Sequence, residues 1–127
     1  MAPPGSSPDR DPAPDAAARL AEMRASAQGR IAQMDDDMVG LVDASRGSNA
    51  DDEHDPEGQT IAYERAQLAS LTGQAHAALA EIDAATARLA AGTYGRCEVC
   101  QEPIGDGRLG ARPTARACIR HAGRRRS

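Results

Sequence analysis

Two apolar stripes of nearly equal length, separated by one polar segment, constrain this chain more than any other feature. Leu20, Met23, Ala27, Ile31, Met34, Met38 and Leu41 follow one another at steps of 3, 4, 4, 3, 4 and 3. That is the a/d spacing of a helix that packs along another helix. Arg19, Glu22, Arg24, Arg30 and Asp37 take the remaining faces. The second stripe runs through Ile61, Leu68, Leu71, Ala75, Ala78, Ile82, Ala85 and Leu89, at steps of 7, 3, 4, 3, 4, 3 and 4. It stops at Gly92, a natural C-terminal stop. The segment between them, "SRGSNADDEHDPEG", is polar and without period. Within it Asp55-Pro56 fits an N-cap followed by proline at the first helical position, where the missing N–H costs nothing. Two helices of about 30 residues are each about 45 Å long, and so short a connection makes antiparallel neighbours of them. The expectation is a helical hairpin over residues 14–91. Separate homo-oligomeric coiled coils are the weaker alternative, because the stripes match in length and flank one turn.

Composition supports long helices rather than a thick core. The 127 residues include no Trp, no Phe and only two Tyr, and Ala dominates the apolar content. An all-α chain follows, not a sandwich or barrel. Residues 1–13, rich in Pro, Gly, Ser and Asp, are expected to be disordered. They have neither the basic start nor the apolar stretch of a signal peptide, and no apolar run approaches membrane-spanning length. The expected location is the cytoplasm, with no membrane partner.

Charge is divided unevenly. Residues 92–127 carry eight Arg against Glu98, Glu102 and Asp106, a balance of +5, while the rest of the chain stands at −9. An acidic arm therefore continues into a basic head, a pattern that points to a charged partner at one end.

All three cysteines lie in the head. Cys97-x2-Cys100 is followed after seventeen residues by Cys118-x2-His121. Two tight knuckles at this separation are the usual chelating arrangement for tetrahedral zinc, with His121 standing where a fourth Cys would be. Four protein ligands leave no open position for water, so such a zinc is structural. A redox C-x-x-C reading leaves Cys118 unexplained and lacks a βαβ context. A zinc deaminase needs H-x-E and P-C-x-x-C, and neither occurs. His76 and His54 are rival fourth ligands, but both lie far along the hairpin.

The stretch "YGRCEVCQEPIGDGRLGARPTARACIRH" resembles the zinc-finger signature of the DksA/TraR family. The matching positions are Tyr94, Gly95, Cys97, Cys100, Ile104, Arg108, Leu109, Pro113 and Cys118. The resemblance extends over about residues 15–123, since the family places an antiparallel coiled-coil hairpin before this finger. It implies a transcription regulator that binds RNA polymerase and inserts its hairpin into the secondary channel, acidic tip foremost. It also implies ppGpp as a co-effector of several members, and no sequence-specific DNA contact. The family's tip motif, Asp-x2-Asp-x-Ala, falls here on Asp52, Asp55 and, in place of Ala, Glu57. The implied layout is a hairpin with its tip near 51–57, a finger at 92–123 and a basic tail at 124–127, in a monomer.

The alternative is a zinc-finger nucleic-acid-binding module in which Arg116, Arg120, Arg124, Arg125 and Arg126 neutralise phosphates. Against it stand the lack of aromatics for stacking, the absence of Lys and the acidic arm. An enzyme is not expected, because no nucleophile–base pair or open metal site can be named.

Overall fold

The computed structural model describes residues 13–47 and 56–122. Helix α1 spans Ala13–Gly47 (35 residues) and helix α2 spans Pro56–Ala91 (36 residues). Proline opens α2 as the sequence predicts. Asp55, its expected cap, lies outside the described residues, as do residues 1–12, the tip acids Asp51, Asp52 and Glu53, and the tail from 123 onward. A third, short helix not anticipated from periodicity, α3, spans Asp106–Ala111. Among the described residues the only β-pairing is an isolated antiparallel bridge between Arg96 and Pro103. No described helix is long and apolar enough to cross a membrane.

The chain divides into two compact units. Residues 25–80 form one, containing the far part of each long helix. Here Ala27, Ile31 and Ala75 are buried, and Met34, Met38, Leu41, Ile61 and Leu68 are half-buried. The first stripe is therefore the seam it was expected to be. The second shifts in phase: Leu71 and Ala78 are exposed, while their neighbours Thr72 and Leu79 take the half-buried positions. Thr72 reaches that place because its hydroxyl donates to the Leu68 carbonyl at 2.8 Å, which satisfies its polar atom within its own helix. Leu79, seven residues further on, lies on the same face as Thr72 and supplies the apolar bulk that Ala78 lacks.

The other unit joins residues up to 24 with residues from 81 onward. Leu20, Ile82 and Ala85 are buried in it, and full burial of a side chain such as Leu20 contributes about 1.5–3 kcal/mol. Arg24 Nε donates to Asp83 Oδ1 at 2.7 Å, a half-exposed contact between the two helices. At the end of α2 the Gly92 N–H donates to the Leu89 carbonyl (3.2 Å) and the Thr93 N–H to the Arg88 carbonyl (2.9 Å). Gly92 has φ 81°, the left-handed conformation that lets a helix end in this way without steric cost. The finger follows at once.

Candidate metal centre

The first knuckle is a tight hairpin. Ile104 N–H donates to the Gly95 carbonyl (2.7 Å), Cys97 N–H to Glu102 (2.8 Å) and Gln101 N–H to Cys97 (2.9 Å). Gly95 adopts φ 85°, a backbone conformation that favours glycine, with Leu109 Cδ1 3.4 Å from where a Cβ would stand. The second knuckle closes through the His121 N–H donating to the Cys118 carbonyl (2.9 Å). Glu98 N–H donates to the Arg116 carbonyl (2.9 Å) and stitches the two together. Cys97, Ile104, Ala115, Ala117 and Cys118 form the buried cluster, with Cys100 and Leu109 packed against it.

These knuckles bring four donor atoms together. One ligand atom from each of Cys97, Cys100, Cys118 and His121 lies within 4.8 Å of every other. Cys100 Sγ and Cys118 Sγ are 3.9 Å apart, and His121 Nδ1 is 3.2 Å from Cys118 Sγ and 3.7 Å from Cys97 Sγ. A Zn–S distance of about 2.3 Å with tetrahedral angles requires sulfurs about 3.8 Å apart. The donor set and its spacing fit zinc. His76 is exposed on α2, outside this cluster, and His54 lies outside the described residues.

Electrostatics of the cluster depend on each thiol's surroundings. Burial alone would push Cys97 up, but the backbone N–H groups of Cys118, Cys100 and Val99 outweigh it and bring the thiol down to about 6. Burial likewise opposes ionisation of Cys118, yet the His121 side chain and the Arg120 N–H lower it. At Cys100 a backbone hydrogen bond from Glu102 favours the thiolate; burial and the neighbouring Cys97 and Cys118 sulfurs together prevail and push it up. Three thiolates in contact repel one another, and a divalent cation is what allows all three to ionise.

Around the cluster, side chains tie finger segments to carbonyls. Tyr94 OH donates to Pro113 O (2.7 Å), Arg108 Nε to Ala117 O (2.8 Å) and Arg88 to Thr114 O (3.4 Å). Arg116, counted in the sequence among the phosphate-facing arginines, is held by Glu81 through Nε at 2.9 and 3.2 Å. That contact raises Arg116, with burial opposing it. Arg120 is exposed; Arg124, Arg125 and Arg126 lie outside the described residues, as do Asp52 and Asp55. Glu57 sits in the first turn of α2, its side chain outside the described set. Nothing in the sequence singles out Glu81 or Arg88, because a surface acid or base on a helix gives no sign of the partner it will meet.

Residues 92–125 match the family model of the prokaryotic dksA/traR C4-type zinc finger. The chain is also similar to the structure of transcription factor DksA2 from Pseudomonas aeruginosa, at 28% identity and a TM-score of 0.77. That similarity covers 96% of this chain and 88% of the other. No curated protein sequence matches the chain. The finger of residues 92–125 is of the dksA/traR type, the fold is similar to that of DksA2, and the clustered ligands support one structural zinc. The C4 description of the family finger meets an imidazole here, at His121.

Proposed function

We propose that this protein is a transcription regulator that binds RNA polymerase and carries its acidic tip, Asp52, Asp55 and Glu57, into the secondary channel. The observation that carries this reading is the similarity, over 96% of the chain, to a protein described as a transcription factor. The division of charge supports it, with acids gathered at the hairpin end and arginines in the head. On this reading the hairpin of residues 14–91 is the working arm, the finger of 92–123 its mount, and 124–127 a basic tail.

Cys97, Cys100, Cys118 and His121 hold the zinc. Metal bound by four protein side chains supplies folding free energy to a finger whose apolar cluster is otherwise small. The residues themselves do the rest: the knuckle N–H groups favour thiolates, and Tyr94 and Arg108 fix the segments that carry the ligands.

The deciding experiment pairs a core RNA polymerase pull-down with transcription in vitro. The parent chain should bind polymerase and alter transcript yield. Asp52→Asn with Asp55→Asn removes two charges while keeping helix-capping ability, since Asn caps about as well as Asp. That double variant should bind like the parent and lose the effect on transcription. A parent chain that ignores polymerase but binds DNA with a steep salt dependence would replace this reading with the nucleic-acid module.

A further inference from the structure

Outside the seam of residues 25–80, Val39, Tyr63 and Leu71 are exposed, and of these Leu71 lies beside other leucines. Leu41 and Leu68 are half-buried and Leu71 is 48% exposed. They lie along a groove of about 550 Å³ whose rim is Asp36, Asp37 and Glu64. Gly40 also lines it, and a Cβ placed there would meet nothing within 4 Å, so the groove is open at that point. Leu71 adjoins Leu41 and Leu68 in one apolar strip inside a polar rim, and a contiguous strip, unlike a lone surface leucine, is the arrangement of a contact surface.

The rim decides what can sit there. Three carboxylates and no basic side chain line the groove. Nucleic acid and anionic lipid carry the same sign and are repelled. A second copy presenting this same groove would set carboxylates against carboxylates, a like-charge juxtaposition that opposes a desolvated contact. A protein segment with apolar residues at helical spacing and Arg or Lys beside them meets both requirements, the apolar floor and the acidic edge. We infer that the groove of Asp36, Asp37, Leu41, Glu64, Leu68 and Leu71 receives a cationic amphipathic helix of a partner protein. Resting on the function proposed above, that helix belongs to RNA polymerase. The groove is then a grip on the side of the hairpin.

Two variants of the full chain test this. Leu71→Gln removes the apolar floor with a good helix former, and Asp37→Arg reverses one rim charge. Both change exposed positions, so circular dichroism should show parental helicity and melting. Each should weaken binding to core polymerase at least tenfold, while the Asp52→Asn, Asp55→Asn double variant binds as the parent does. A second arm needs no polymerase: a synthetic helical peptide of Leu and Arg at a/d spacing, beside Ala/Arg and Leu/Glu versions, titrated by methyl NMR. The Leu/Arg peptide should shift the methyls of Leu41, Leu68 and Leu71 saturably, and the other two should not. Parental polymerase affinity in Leu71→Gln, or equal response to Leu/Arg and Ala/Arg peptides, overturns the grip. Peptide binding in the groove by a chain that ignores polymerase would keep the groove and reject only the polymerase reading. Concentration-dependent self-association in ultracentrifugation, abolished by Leu71→Gln, would assign the groove to a second copy and overturn the proposal.

Discussion

The finger and the far part of the hairpin are ordered by opposite means. Residues 92–122 have one small cluster of Ile, Ala and Cys, crossed by hydrogen bonds from Tyr94 and Arg108 to carbonyls, with four metal donors at the centre. Residues 25–80 have no such centre among the described residues: backbone helix plus a thin seam in which only Ala27, Ile31 and Ala75 are buried. The first region depends on a single point and should fail all at once. In the second, order is distributed along the helices and should weaken by degrees.

The sharpest way to break that comparison is at Cys97. Cys97→Ser should abolish zinc retention and unfold the finger, since metal binding in such modules supplies on the order of 10 kcal/mol. Hydrogen exchange should show amides of 95–121 losing protection while those near residues 30 and 75 keep theirs. Equal loss in both regions would mean that they fold as one. A charge in the seam comes next: Ile31→Asp buries an unpaired carboxylate and should cost several kcal/mol, read as a lowered midpoint in urea. Zinc content should stay at one per chain. The Arg116–Glu81 pair is about a third exposed on each side, so solvent screens it; Arg116→Ala should lower stability by about 1 kcal/mol or less, with metal retained. Smallest, and opposite in sign, is Gly29→Ala. Nothing lies within 4 Å of a Cβ at that helical position, so a gain of roughly 0.5–1 kcal/mol in the melting free energy is expected.

Much of the architecture is legible because it rests on period. The step pattern of α1, the proline start of α2 and the glycine stop at Gly92 all appear in the fold. The knuckle spacing likewise anticipates the cluster of Cys97, Cys100, Cys118 and His121. Pattern reading misphases the seam of α2 at two positions for a physical reason. From Leu68 to Ile82 two routes keep the heptad, one through Leu71 and Ala78 and one through Thr72 and Leu79. A leucine outranks a threonine when only hydrophobicity is weighed, so the first route looks better. Yet Leu71 faces water while Thr72, its hydroxyl occupied by its own backbone, turns inward, and Leu79 follows on the same face. Helix α3 is only six residues, with glycine at two of them, too short for any period to show. The partners of Arg88, Arg108 and Arg116 are set by tertiary approach and leave no trace in local sequence.

The Arg24–Asp83 contact joins residues 59 positions apart, and that separation has a consequence in time. Chains are made at about 5–20 residues per second, so α1 waits on the order of 3–12 seconds after Arg24 emerges before its partner at Asp83 exists. Throughout that interval Leu20, Ala27 and Ile31 have no seam to enter, and a lone helix of this composition, interrupted by Gly29 and Gly40, is marginal in water. The finger, whose ligands are at most 24 residues apart, waits only about 1–5 seconds between its first and last ligand at the same rates. It can close only once His121 has appeared, and by then both helices of the hairpin have already been made.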